Sequence, residues 1–173
     1  MKLRAELEPK IDVAEQLFPE LMRLISLYDD GYDNEDRQKV ESAIKQMNLL
    51  TNKDINEEDL FEYWEAESQE ELAFKLSLPE PVKAGNISKE ELLEIIERIQ
   101  SFDDDGISEV LSDANVPLSS ILAEAYYLPL LERNFSYPEP YDLFERQKIN
   151  GEYIEFTADE IAEKILSHKP LEL

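Results

Sequence analysis

Three Ser/Thr–x–x–Glu pairs in this chain stand directly ahead of apolar residues at helical spacing: Ser68 with Glu71, Ser88 with Glu91, and Thr157 with Glu160. In such a pair the hydroxyl and the carboxylate each satisfy a backbone donor at a helix start, so each pair marks where a helix begins. Apolar residues at three- and four-residue spacing follow each pair, for example Leu92, Ile95, Ile96 and Ile99 after Ser88. Only four glycines occur in 173 residues. That scarcity counts against sandwiches, barrels and phosphate-cradling loops, which need left-handed or tightly turned backbone. The chain is constrained to fold mainly from helices.

The same spacing predicts a first helix over residues 9–28, with Pro9 in its first turn, Pro19 kinking or splitting it, and Asp29-Asp30-Gly31 ending it. Asn34 is placed to cap a second helix reaching about Leu50, and Asp54 or Asn56 to open a third carrying Leu60, Phe61 and Trp64. A short helix is expected over 105–113 and a longer one over 117–134, bent at Pro129. Asn150-Gly151 is the preferred pair for a tight hairpin turn, with Arg146 falling opposite Glu155. The expected fold is mostly α: a two-lobed, multi-helix, bundle-like domain with one small C-terminal β-hairpin at 144–156. Residues 1–78 form an N-terminal helical lobe, 79–87 a linker rich in turn signals, and 88–173 a C-terminal helical lobe.

Charge narrows the function. Lys and Arg number 17 against 41 Asp and Glu, a net charge of −24. It is spread evenly: residues 1–86 hold 21 acids and 10 bases, and 87–173 hold 20 and 7. The folded body itself is therefore anionic. Phosphate backbones and anionic lipids are poor partners for it, because both are held by basic patches. A basic protein is the expected partner, with no nucleic acid and no membrane. No apolar run approaches the roughly 20 residues that cross a bilayer, and the first ten residues carry no leader-like apolar stretch. A cytoplasmic, bacterial-type protein is expected.

The catalytic vocabulary is thin. Without cysteine there is no thiolate nucleophile or thiolate-held metal, and no cofactor is expected. The single histidine, His168, falls near the end of the last helix, where the helix dipole favours a cation. Glu90-Glu91-x-x-Glu94 resembles the first half of the Glu-Glu-x-x-Glu … Glu-x-x-Asp pattern of all-α, magnesium-dependent nucleotide pyrophosphohydrolases of the MazG type. The second half is approximated by Glu109 and Asp113, four residues apart rather than three. That resemblance implies a magnesium-dependent hydrolase with those five carboxylates as metal ligands.

The most distinctive stretch is Asp54–Phe74, with nine acids and no base between Lys53 and Lys75. In helical geometry Glu58, Glu62 and Glu65 share one stripe, and Tyr63 lies beside it as an exposed aromatic anchor. A second aromatic group is Tyr126-Tyr127, two residues before Pro129. Neighbouring helix positions differ by about 100°, so one of the two rings is expected at the surface. A tyrosine pair near a proline, with an acidic helix, is loosely similar to the strategy of colicin-DNase immunity proteins, where the proline follows the pair directly; here Leu128 intervenes. The favoured reading is a non-catalytic, acidic protein that binds a basic protein partner, immunity- or antitoxin-like, through Glu58, Glu62, Tyr63, Glu65, Tyr126 and Tyr127. Two alternatives are a DNA mimic that occupies nucleic-acid-binding proteins and the magnesium-dependent all-α hydrolase.

Overall fold

A computed structural model describes residues 2–101, 118–149 and 151–168. The chain is mostly helical, with a two-stranded antiparallel hairpin near its C-terminus, as the sequence leads one to expect. It divides into two compact units. Lys10–Pro79 and Leu118 belong to one, and residues 2–9, 80–101, 119–149 and 151–168 to the other. Residues 2–9 thus cluster with the later part of the chain.

In the Lys10–Pro79 unit, α1 (Ile11–Asp33) packs against both α2 (Arg37–Thr51) and α3 (Gln69–Ser77). Leu21, Leu24, Ile25 and Tyr28 of α1, Val40, Ala43 and Met47 of α2, and Leu72 and Phe74 of α3 are buried. Each large apolar side chain so buried contributes about 1.5–3 kcal/mol. Pro19 lies inside α1 without splitting it. Nor does Gly31 end the helix, which runs two residues past it. Its role is steric: a Cβ there would stand 3.0 Å from the Val40 backbone nitrogen and 3.1 Å from Lys39 Cβ. The glycine lets the start of α2 close on α1. Asp36, rather than Asn34, caps α2, accepting from the Lys39 N–H at 3.1 Å.

The expected third helix does not form. Residues 52–62 make an irregular loop, followed by a single 3-10 turn at Tyr63–Glu65. Three local features explain it. Asn52 ends α2 in the left-handed region at φ 56°. The Asn56 side chain accepts the Glu58 N–H at 2.8 Å, a turn that competes with the helix. Glu62 is itself left-handed at φ 52°, a conformation that costs a non-glycine residue about 1–3 kcal/mol.

In the other unit, α4 (Lys89–Gln100) packs against α7 (Ala158–Ser167). Between them in sequence lie α5 (Leu118–Leu122), a π turn (Ala123–Tyr127) and α6 (Leu128–Asn134), then a 3-10 turn (Pro140–Phe144) and the hairpin. The π turn replaces the expected simple bend at Pro129. Proline has no N–H for the Ala125 carbonyl four residues back, and the helix adjusts by a wider turn in which the Leu128 N–H reaches Ala123 O. Strands β1 (Gln147–Ile149) and β2 (Glu152–Ile154) pair Gln147 with Ile154 and Ile149 with Glu152. Gly151 supplies the positive φ of 93° in the two-residue loop. Arg146 and Glu155 form an ion pair across the strand ends. All three Ser/Thr–Glu pairs close as reciprocal capping boxes on α3, α4 and α7. The short helix expected over 105–113 lies outside the described residues.

Candidate functional site

The acidic loop is pinned to its own unit at three points. Asn48, near the end of α2, takes the Ile55 N–H on Oδ1 at 2.6 Å and donates Nδ2 to Ile55 O at 2.8 Å. Leu60 is fully buried. The Tyr63 hydroxyl donates to Asp29 Oδ2 on α1 at 2.8 Å. Burial pushes the Asp29 carboxyl up from its ordinary value; the Tyr63 hydrogen bond opposes that shift, and Asp33 nearby adds to it. Burial, with Asp29 as a negative neighbour, raises the Tyr63 phenol well above its usual range. Tyr63 is therefore a neutral, inward-facing latch, 9% exposed.

Its exposure expected from the helical stripe does not hold, and the reason is the missing helix. The loop turns Tyr63 into the unit and Phe61 and Trp64 outward, each 50% exposed. Tyr32 of α1 backs them both, its ring centroid 6.0 Å from Phe61 and 5.9 Å from Trp64 in edge-on geometry. Tyr28 stacks beneath Tyr32 at 6.2 Å. Glu58, Glu62 and Glu65 are exposed in the same loop, and none has an ion-pair partner among the described residues. Nearby Glu57 is engaged instead: Arg37 grips both its oxygens, at 2.7 and 3.0 Å, and this hydrogen bonding lowers its pKa. The loop thus presents an aromatic pair on a rigid base, rimmed by unpaired carboxylates.

Tyr126 and Tyr127 are buried too, each 4% exposed, with rings edge-on at 5.5 Å. No ring reaches the surface because residues 2–9 lie over this part of their unit. The Tyr126 hydroxyl donates to the Glu8 carbonyl at 3.1 Å, and burial pushes its pKa up to about 12. Arg98 donates to the Tyr127 hydroxyl at 2.7 Å and to both Glu8 oxygens, at 2.7 and 3.2 Å. This pair ties the N-terminal segment to α4, a structural task.

The carboxylates of the metal reading are occupied in other ways. Glu91 closes the α4 capping box and stands 3.2 Å from the Arg4 guanidinium. Glu94 pairs with Arg98 at 3.0 Å. Glu90 is exposed in the first helical turn, where its own N–H and the Ser88 hydroxyl lower its pKa. Glu109 and Asp113 lie outside the described residues. Among the described residues no group of three or more potential ligands comes together. His168 ends α7, its ring edge-on to Tyr137 at 5.3 Å.

No known protein family matches the chain, and comparisons with curated proteins and with solved structures return no match. Among the described residues no helix is long and apolar enough to cross a membrane. Sequence reasoning missed Phe61 and Trp64 as surface groups by assigning them to a helix's apolar face. Asn52 and Asn56, each suited to left-handed or turn backbone, were the available signal against that helix.

Proposed function

We propose that this chain is a non-catalytic binding protein that captures a basic protein partner through the Phe61–Trp64 face of its acidic loop. The observation that carries this reading is the pairing of two half-exposed large aromatics with three unpaired carboxylates in one short, anchored segment. Aromatic side chains give contact energy at protein interfaces, and guanidinium or ammonium groups are attracted both to their faces and to the carboxylates. The net charge of −24 draws a cationic partner in over a Debye length of about 8 Å. In its most concrete form this is the work of an immunity- or antitoxin-like factor acting in the cytoplasm.

Trp64 is the chain's one tryptophan, so its emission reports on contact directly. Affinity capture with the wild type, with Trp64→Ala and with the Glu58→Gln/Glu62→Gln/Glu65→Gln triple variant, at low and high salt, tests the reading. A partner retained at low salt, released at high salt, lost from both variants and shifting the Trp64 emission is the expected result. Equal retention by all three proteins, or binding indifferent to salt, refutes it.

A further inference from the structure

The two exposed rings of the acidic loop are held in place by other rings. Phe61 and Trp64 stand edge-on to Tyr32, at interplanar angles of 71° and 60°. Tyr32 in turn lies against the fully buried Tyr28, the two rings 23° from parallel. Trp64 also meets Tyr63 edge-on, at 74°, and the Tyr63 hydroxyl is tied to Asp29. Each outer ring therefore keeps a fixed plane while half exposed to solvent. Carboxylates alternate with the rings along the chain: Glu58 precedes Phe61, Glu62 follows it, and Glu65 follows Trp64. All three are exposed, and none has an ion-pair partner among the described residues. The loop thus offers a cation two kinds of surface, flat apolar faces and acceptor oxygens.

A guanidinium has the matching division. Its two faces are weakly hydrated and stack on aromatic rings, while its N–H donors lie in its plane and point outwards, where carboxylates can accept them. An ammonium group has no such division. It is a compact, strongly hydrated point charge, and resting it on a ring strips water from the donors themselves. Planes already fixed favour the planar ion, because stacking depends on a ring's orientation as well as its position. The chain contains an instance of the same combination in its other unit: Arg98 lies 5.8 Å from the Tyr127 ring centroid while donating to Glu8 and Glu94.

We propose that the group seated on the Phe61–Trp64 face is an arginine side chain, its guanidinium stacked on one of the two rings with its edge towards Glu58, Glu62 or Glu65. The basic partner is then recognised by arginine and not by lysine. This rests on the loop being the partner-binding surface, and it names the side chain which that surface selects.

Hexa-arginine and hexa-lysine carry the same charge, so general attraction to a body of net charge −24 cancels in the ratio of their affinities. Calorimetric titration of the full chain with each peptide, at physiological ionic strength, measures that ratio. Hexa-arginine is expected to bind at least about fivefold more tightly than hexa-lysine, and to shift the Trp64 emission of the wild type. The ratio should fall to about twofold or less in Phe61→Leu/Trp64→Leu, which keeps apolar bulk but removes both rings. It should fall likewise in Glu58→Gln/Glu62→Gln/Glu65→Gln, which keeps the rings and removes the charge beside them. Tyr153→Ala, which removes a 70% exposed ring on the hairpin, should keep the wild-type ratio. Thermal melts establish that each variant is folded, and if the ring variant is not, the isosteric glutamine variant carries the test. A ratio near one in the wild type, or one unchanged in either folded loop variant, overturns the proposal. So does a preference lost equally in Tyr153→Ala. Those results leave salt-sensitive capture through the loop standing. Conversely, an arginine preference that maps to the loop, with no protein captured at low salt, counts against the partner reading and not against the arginine site.

Discussion

Replacing Tyr63 with phenylalanine isolates the latch that orients the acidic loop. The ring and its edge-on contact with Trp64, centroids 5.6 Å apart, are kept. Only the hydroxyl that donates to Asp29 is lost. The other carboxylate oxygen, Asp29 Oδ1, is already buried without a hydrogen-bond partner among the described residues. Tyr63→Phe therefore leaves a partly buried carboxylate with neither oxygen satisfied by the loop. A hydrogen bond to a charged group contributes about 1.5–3 kcal/mol, so the expected cost at neutral pH is about 2 kcal/mol. In an Asp29→Asn background the same bond joins two neutral groups, and the cost of Tyr63→Phe falls to about 1 kcal/mol. Urea unfolding of the four proteins, followed by far-ultraviolet circular dichroism, gives both numbers and their difference. A loss below about 0.5 kcal/mol in the wild-type background, smaller than even a neutral bond, refutes the latch. An equal loss in both backgrounds shows that the Asp29 charge has no part in it.

Asp29 also sets a pH dependence. Its folded-state pKa lies above the unfolded one, so the folded state holds the proton more tightly between the ordinary aspartate value of about 3.9 and the raised value. This group's contribution to stability therefore falls as pH rises through that window. Asp29→Asn should be more stable than the wild type at pH 7, with the advantage shrinking towards zero as the pH approaches the ordinary value; a constant difference in urea midpoints would contradict this. Gly31→Ala should destabilise by about 1 kcal/mol, because overpacking against the Val40 backbone at 3.0 Å outweighs the gain in helix propensity. Gly85→Ala, with nothing within 4 Å of the added Cβ, should fall within about 0.5 kcal/mol of the wild type in the same assay. Arg98→Met should cost about 2 kcal/mol, since it removes one hydrogen-bond partner each from Glu8, Glu94 and the Tyr127 hydroxyl at once. Faster proteolysis within residues 2–9 should accompany it.

What could be read from the sequence was what local chemistry decides. Ser68, Ser88 and Thr157 cap their helices through residues three positions away, and Gly151 turns its hairpin within two. The misread positions are those settled by distant neighbours or by a break in the assumed period. Gly31 carries the mark of a helix end, yet it is kept small by Val40 of the next helix. Helical stripes drawn through 58–65 presuppose a helix that Asn56 and Glu62 do not allow. The 100° step between Tyr126 and Tyr127 would expose one ring only if nothing lay above them, and Glu8 lies 118 residues earlier in the chain. No periodicity carries that contact.

The grip of Asn48 on Ile55 bears on how the loop would meet another molecule. A side-chain amide that takes both polar groups of one backbone residue does the work of a neighbouring strand, so the segment it holds has little freedom left to lose. Association normally sacrifices about 0.5–1.5 kcal/mol for each mobile side chain it immobilises, and more for a mobile backbone. Here part of the backbone ordering is in place before any encounter. For the proposed partner, Asn48 would thus influence affinity by holding the loop in place.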